Sequence, residues 1–217
     1  MPLTFARLTL RHLAIPLGLG LLLSAQASGA YAAEHMDHEM GGHEHHHVDT
    51  GPAGVARSEA NYSLPALELI RQDGKKVNLL KEIDDGRPVI LNFIYTSCTA
   101  ICPTTSQVFS QVQAKLDKEH KDFRLVSISI DPEYDTPARL AAYGKKFGAG
   151  NQWQFYSGTS AASIAVQKSL DAYHGDKMNH LPITFLRAAP GKPWVRLEGF
   201  ASPETVLQEF ARLGSKS

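Results

Sequence analysis

The sequence predicts an α/β domain, a central mixed sheet flanked by helices, and three observations carry that prediction. Val89 to Tyr95 is a strand-length apolar run broken only by Asn92, the pattern of a strand buried on both faces. Pro103 to His120 follows at helical spacing, with Val108, Phe109, Val112 and Leu116 on one face. Leu181 to Leu186 and Trp194 to Phe200 flank the turn Ala189-Pro190-Gly191-Lys192 and read as a closing hairpin. Strands alternating with helices, then a hairpin and a last helix, make a sheet that needs cover on both faces.

The remaining elements follow in order. Folded structure is expected to begin near Leu64. Leu67 to Ile70 and Lys76 to Leu79 flank Gln72-Asp73-Gly74-Lys75, and Asp-Gly between apolar runs is a hairpin signal. Leu80 to Asp85 reads as a short helix ended by Gly86. From Phe123 to Ile130, Val126, Ile128 and Ile130 alternate with Ser127 and Ser129, as in a strand. In Asp131-Pro132-Glu133-Tyr134-Asp135-Thr136-Pro137, Thr136 is placed to cap a helix that opens on Pro137 and turns Leu140, Gly144 and Phe147 to one face. Trp153 to Tyr156 is a short strand, and Ser160 to Tyr173 a helix through Val166 and Leu170. A loop runs from His174 to His180, and Ser202-Pro203 starts the last helix, with Val206, Phe210 and Leu213 inside.

The N-terminus belongs to a different class of sequence. Arg7 and Arg11 precede the uncharged apolar segment Leu13 to Leu23, and Ala30-Tyr31-Ala32 supplies a small-residue cleavage site. This is the layout of a secretory signal peptide over residues 1–32. The segment is short for a spanning helix. The destination is a bacterial periplasm, or the periplasmic face of the inner membrane if the signal stays as an anchor. Residues 33–61 read as a flexible His/Met-rich tail: His35, His38, His43, His45, His46 and His47 lie among Met36, Met40 and several glycines, a donor mix that gathers copper, zinc or nickel. Residues 62–217 then form the folded domain. With 22 basic and 22 acidic side chains the formal charge is zero, so nothing in the charge pattern points to nucleic acid.

The sequence holds two cysteines, Cys98 and Cys102, and both lie in the loop between the central strand and the first long helix. Pro103 suits the first helical position, where its missing N–H is no loss. A helix N-terminus carries partial positive charge and favours thiolate over thiol. A structural disulfide there would close a five-residue loop worth only about 2 kcal/mol, so reactive or metal-binding thiols are the better reading. A strand ending in a cysteine pair, a helix, and a later proline entering a strand together look like the thioredoxin fold. That resemblance implies a cis bond before Pro182, beside the cysteine loop.

Three stretches together resemble the Sco/SenC copper proteins, thioredoxin-fold factors for assembling cytochrome c oxidase. They are Cys98-x-x-x-Cys102-Pro103 after a strand, Ser129-Ile130-Asp131-Pro132-Glu133-Tyr134-Asp135-Thr136-Pro137, and His180 just before a strand. The likeness spans about Leu64 to Leu213 and implies a copper site of Cys98, Cys102 and His180. Thiolates select Cu(I) and imidazole also accepts Cu(II), so such a site holds either state. Asp131 either accepts a hydrogen bond near the site or caps the turn that follows it. His174 and Met178 lie nearby and could help transiently at the site, but they read as ordinary loop residues. The family implies a copper chaperone, not an enzyme, whose acceptor is the copper subunit of cytochrome c oxidase and whose other partners are copper chaperones or thioredoxin-like reductants. The alternative is a periplasmic thiol–disulfide oxidoreductase in which Cys98 attacks and Cys102 resolves.

Overall fold

Strand β5 (Val89–Ile94) occupies the middle of a nine-stranded sheet, and every one of its residues is buried. The computed structural model describes residues 49–51 and 54–215. The sheet order is β1-β2-β9-β8-β5-β6-β7-β3-β4, with β1 at Asp49–Gly51, β2 at Val55–Ala60, β3 at Glu68–Arg71, β4 at Lys76–Asn78, β6 at Arg124–Ser129, β7 at Trp153–Ser157, β8 at Ile183–Arg187 and β9 at Trp194–Glu198. The sheet is mixed, as expected: β5 runs parallel to β6 and antiparallel to β8, while β8 pairs antiparallel with β9.

The helices are α1 (Leu79–Ile83), α2 (Ile101–Lys118), α3 (Pro137–Lys146), α4 (Ser160–Ser169) and α5 (Pro203–Ser215). Alternate residues of β5 point to opposite faces. Ile90 and Ile94 join Phe109, Val112 and Leu116 of α2, Leu140 of α3 and Val206 of α5. Leu91 and Phe93 join Leu79 and Ile83 of α1 and Val166 of α4. The one polar residue of the run is satisfied in part: Asn92 Oδ1 accepts from Ser127 Oγ at 2.7 Å, and Ser127 Oγ accepts from Trp153 Nε1 at 2.9 Å. This string of bonds crosses three neighbouring strands inside the core. The cysteine loop therefore hangs from the most enclosed strand of the molecule.

The capping expected at α3 is present, with Thr136 Oγ1 accepting from Arg139 N and Pro137 in the first turn. Four other expectations are corrected. Folded structure begins before Leu64, because Val55–Ala60 pairs antiparallel with β9 from Ala56↔Glu198 to Ala60↔Trp194. Helix α2 starts at Ile101, not Pro103, so Cys102 lies in its first turn. Helix α4 ends at Ser169, four residues before Tyr173, because Asp171 turns left-handed at φ 50°. The amides of Asp171 and Ala172 then close back onto the carbonyls of Lys168 and Gln167, the Schellman arrangement that ends a helix. Finally, Pro182 is not preceded by a cis bond; among the described residues there is none. His180 is already extended at φ −60°, ψ 130°, and the Pro182 carbonyl accepts from Gly199 N at 2.8 Å, so the chain runs directly into β8 in the trans form that X–Pro bonds ordinarily prefer. The signal-like segment and the His/Met-rich stretch up to residue 48 lie outside the described residues.

Candidate metal centre

Helix α2 has no side-chain cap at Ala100, and the cysteine loop supplies one from further back. Cys98 N donates to Tyr95 O at 3.1 Å, which folds the loop over. Cys98 Sγ then accepts the N–H of Cys102 at 3.4 Å and also that of Ala100. A sulfur here does what a Ser or Asp oxygen does at other helix starts. Cys102 Sγ accepts Tyr95 N at 3.4 Å, at the end of β5. Both cysteines are unbridged; Cys102 is fully buried and Cys98 is 9% exposed.

The two thiols are driven apart in acidity. Burial raises Cys98, but the amides of Cys102 and Ala100, the Cys102 thiol and the Tyr95 hydroxyl outweigh it and hold Cys98 below the ordinary thiol range. Burial pushes Cys102 far up, and the neighbouring Cys98 and Asp135 push it further. Near neutral pH a limiting alkylating agent is therefore expected to modify Cys98 first and leave Cys102 intact, which peptide mass spectrometry reads directly. Equal labelling of the two would contradict this asymmetry.

His180 lies on the loop that leads into β8. Asp176 Oδ1 accepts Met178 N at 2.8 Å and starts a one-turn 3₁₀ helix, Lys177–Asn179, which hands the chain to His180. The imidazole is buried and donates one ring N–H to the Phe93 carbonyl. Its other ring nitrogen keeps a lone pair, the arrangement usual for a metal-ligating histidine. Burial, with His174 nearby adding to it, pushes His180 down to about 4. The unfolded chain, with an ordinary histidine, binds the extra proton first. Stability should therefore be fully present above about pH 6.5 and fall as pH drops towards 4, by roughly 3 kcal/mol. Denaturant titrations at several pH values should show that slope in the wild type and lose it in His180→Gln; an unchanged slope would show the proton to be taken up elsewhere.

The structure brings Cys98 and Cys102 together but does not gather His180 with them. Among the described residues no three His, Cys, Asp or Glu side chains are close enough to hold a metal ion. His180 instead lines a cavity of about 180 Å³ with Asp131, Glu133, Gln167 and His174. The donor set still fits copper: two unbridged thiols, one of them acidic, and a neutral imidazole with one nitrogen free.

Asp131 acts on the loops. Its carboxylate pairs with Lys177 Nζ at 2.5 Å, and its carbonyl accepts Tyr134 N and Asp135 N, so it both folds its own turn and ties that turn to the His180 loop. The acidic residue closer to the thiols is Asp135, which the sequence reasoning missed. It is fully buried and accepts from Thr96 N, from Thr96 Oγ1 at 2.5 Å and from Ser129 Oγ at 2.6 Å. It pins the first residues of the cysteine loop to the end of β6. The sequence signal for it is its place in the Ser129 to Pro137 stretch that carries the family resemblance, where nothing singles it out from Asp131.

The SCO1/SenC family model matches residues 56–214. A relative described as an SCO1 protein homolog, from Bacillus subtilis, is 37% identical over 109 residues, which cover 48% of this chain and 53% of the relative, so the chain spans about half that protein's length. The copper-bound structure of ScoI from Bradyrhizobium japonicum superposes with a TM-score of 0.58 at 27% identity, covering 70% of this chain and 99% of the other. BsSco, described as a Sco-family protein with a disulfide switch, superposes with a TM-score of 0.61 at 26% identity, covering 72% and 96%.

Proposed function

Because the chain belongs to the SCO1/SenC family, we propose that it binds one copper ion through Cys98, Cys102 and His180 and hands it to the copper subunit of cytochrome c oxidase on the periplasmic side of the membrane. The observation that carries this reading is the unbridged thiol pair at the start of α2, with Cys98 capping the helix and held acidic by its amides. Cys98 meets an incoming soft cation as thiolate, and Cys102 gives up its proton to the metal, as ligating thiols do. Neutral His180 completes the set when the 174–180 loop closes on the thiols. Copper is cargo here, and release to an acceptor is an exchange of these ligands for the acceptor's own.

Thiol–disulfide exchange is the second reading, and the unequal acidity of the cysteines favours it specifically. The Cys98 thiolate attacks one sulfur of a partner disulfide and the partner's other sulfur leaves as thiolate. Cys102, deprotonated, then attacks Cys98, so the partner leaves fully reduced and this chain is oxidised to the Cys98–Cys102 disulfide. His180 separates the readings, since copper needs it and exchange does not. The test is anaerobic titration of the reduced protein and of His180→Ala with Cu(I) and Cu(II), with a disulfide-reductase assay alongside. Copper delivery requires one tight equivalent in the wild type and weakened binding in the variant, above all of Cu(II). An Ala variant that binds both copper states like the wild type and keeps full reductase activity would make the protein an oxidoreductase.

A further inference from the structure

Met178 is the most exposed large apolar side chain among the described residues, at 73%. Nothing in the core accounts for its position, yet that position is closely built. Asp176 caps its amide, Lys177 beside it is clamped to Asp131, and Lys177 Nζ lies 5.7 Å from the centroid of the Tyr95 ring. These contacts lay the one-turn helix over Tyr95. The Tyr95 hydroxyl then approaches Met178 Sδ at 3.8 Å, while the backbone of the same residue holds both cysteines: Tyr95 N donates to Cys102 Sγ at 3.4 Å and Tyr95 O accepts from Cys98 N at 3.1 Å. A solvent-facing thioether and the cysteine pair thus meet on one tyrosine.

We infer that Met178 is a copper ligand of its own, the third donor for Cu(I), with His180 serving Cu(II). Its role depends on copper binding at the cysteine pair, as proposed above. The chemistry divides the two residues cleanly. Thioether and thiolate are soft donors that favour Cu(I), whereas imidazole also suits Cu(II). Met178 and His180 sit two positions apart on the same short turn, so one loop carries both donors. Met178 faces water beside the Tyr95 hydroxyl, while His180 is buried on the Phe93 carbonyl. An arriving Cu(I) ion therefore meets the thioether first. The loop thus offers a soft donor for Cu(I) and a nitrogen donor for Cu(II).

The test labels the full-length chain with selenomethionine in a background carrying Met36→Leu and Met40→Leu, with the same protein carrying Met178→Leu as the blank. One equivalent of Cu(I) is added anaerobically and selenium-edge X-ray absorption is recorded. A copper neighbour at selenium, absent from the blank, is the expected result. In parallel, Met178→Leu should lower Cu(I) affinity about tenfold, the lower end of the cost of losing a supporting partner at a metal site, and leave Cu(II) affinity unchanged. His180→Ala should lower Cu(II) affinity far more than Cu(I) affinity. If one equivalent of Cu(I) binds and selenium has no copper neighbour, Met178 is not a ligand and the copper site stands without it. Equal loss of Cu(I) and Cu(II) affinity in Met178→Leu would reduce the residue to a structural role and overturn the inference. If no Cu(I) binds at all, the copper site and the role of Met178 fall together.

Discussion

Cys98→Ser is expected to lower copper affinity by more than ~100-fold, beyond what loss of an outer partner costs a metal site, while the protein stays folded. The two halves of this result have separate causes. A hydroxyl is a poor ligand for Cu(I), so the metal loses one of its two strong donors. Serine is also among the best helix N-caps. It can accept the amides of Cys102 and Ala100 that Cys98 Sγ accepts now, so α2 keeps its start. Cys102→Ser should cost as much copper affinity. It should also cost some stability, because its hydroxyl would sit where no water reaches, with Tyr95 N as donor. Anaerobic competition titrations and thermal melts on both variants check this, and a Cys98→Ser protein that binds copper like the wild type would remove the cysteine pair from the site.

Asp135→Ala should be the most damaging substitution near the site, costing about 4 kcal/mol of stability. Its buried carboxylate accepts from Thr96 N, Thr96 Oγ1 and Ser129 Oγ. Hydrogen bonds to a charged group are each worth roughly 1.5–3 kcal/mol, and donors left buried without an acceptor cost ~1–3 kcal/mol apiece. Thr96 precedes Cys98 by two residues, so the loss falls on the cysteine loop. Denaturant unfolding would show the drop. Hydrogen exchange at the Tyr95 to Cys98 amides should accelerate beyond what the global loss explains. A variant as stable as the wild type would show that those donors find other partners.

The core of the fold was legible because its signals are local. The β5 run, the serine–isoleucine alternation of β6 and the Thr136-Pro137 start of α3 each state their conformation within a few residues, and the structure bears all of them out. Strand β2 was not legible. Val55–Ala60 mixes apolar, charged and small residues, and it is a strand because β9, some 140 positions later, offers it an edge. The thioredoxin-like proline carried an expectation of a cis bond that the pairing of Pro182 with Gly199 does not require. The ends of α2 and α4 were misplaced for a shared reason. Each is set by a backbone bond, one to a cysteine sulfur and one through a left-handed Asp171, and neither follows from hydrophobic spacing.

At the site, the cysteine pair could be read from spacing alone, because the strand and helix on either side announce it. The two aspartates could not be told apart. Asp131 and Asp135 lie four residues apart in the same turn, and only the three-dimensional path sends one outward to Lys177 and the other inward to Thr96 and Ser129. Met178 was passed over because an exposed methionine in a loop carries no periodicity. Its meaning comes from Tyr95, more than eighty positions away.

The pairing of β2 with β9 also decides where the chain can be cut. A shortened protein beginning at residue 62, where folded structure was first expected, would lack Val55–Ala60. Five consecutive positions of β9, Trp194 to Glu198, would then present an open edge. Glu209, buried and bonded to Arg57 at 3.0 Å, would lose that cation and keep, among the described residues, Arg212, whose side chain is largely in solvent. An unprotected β edge beside a weakened buried carboxylate is a template for another chain. Such a fragment should aggregate where a protein starting before Val55 stays dispersed.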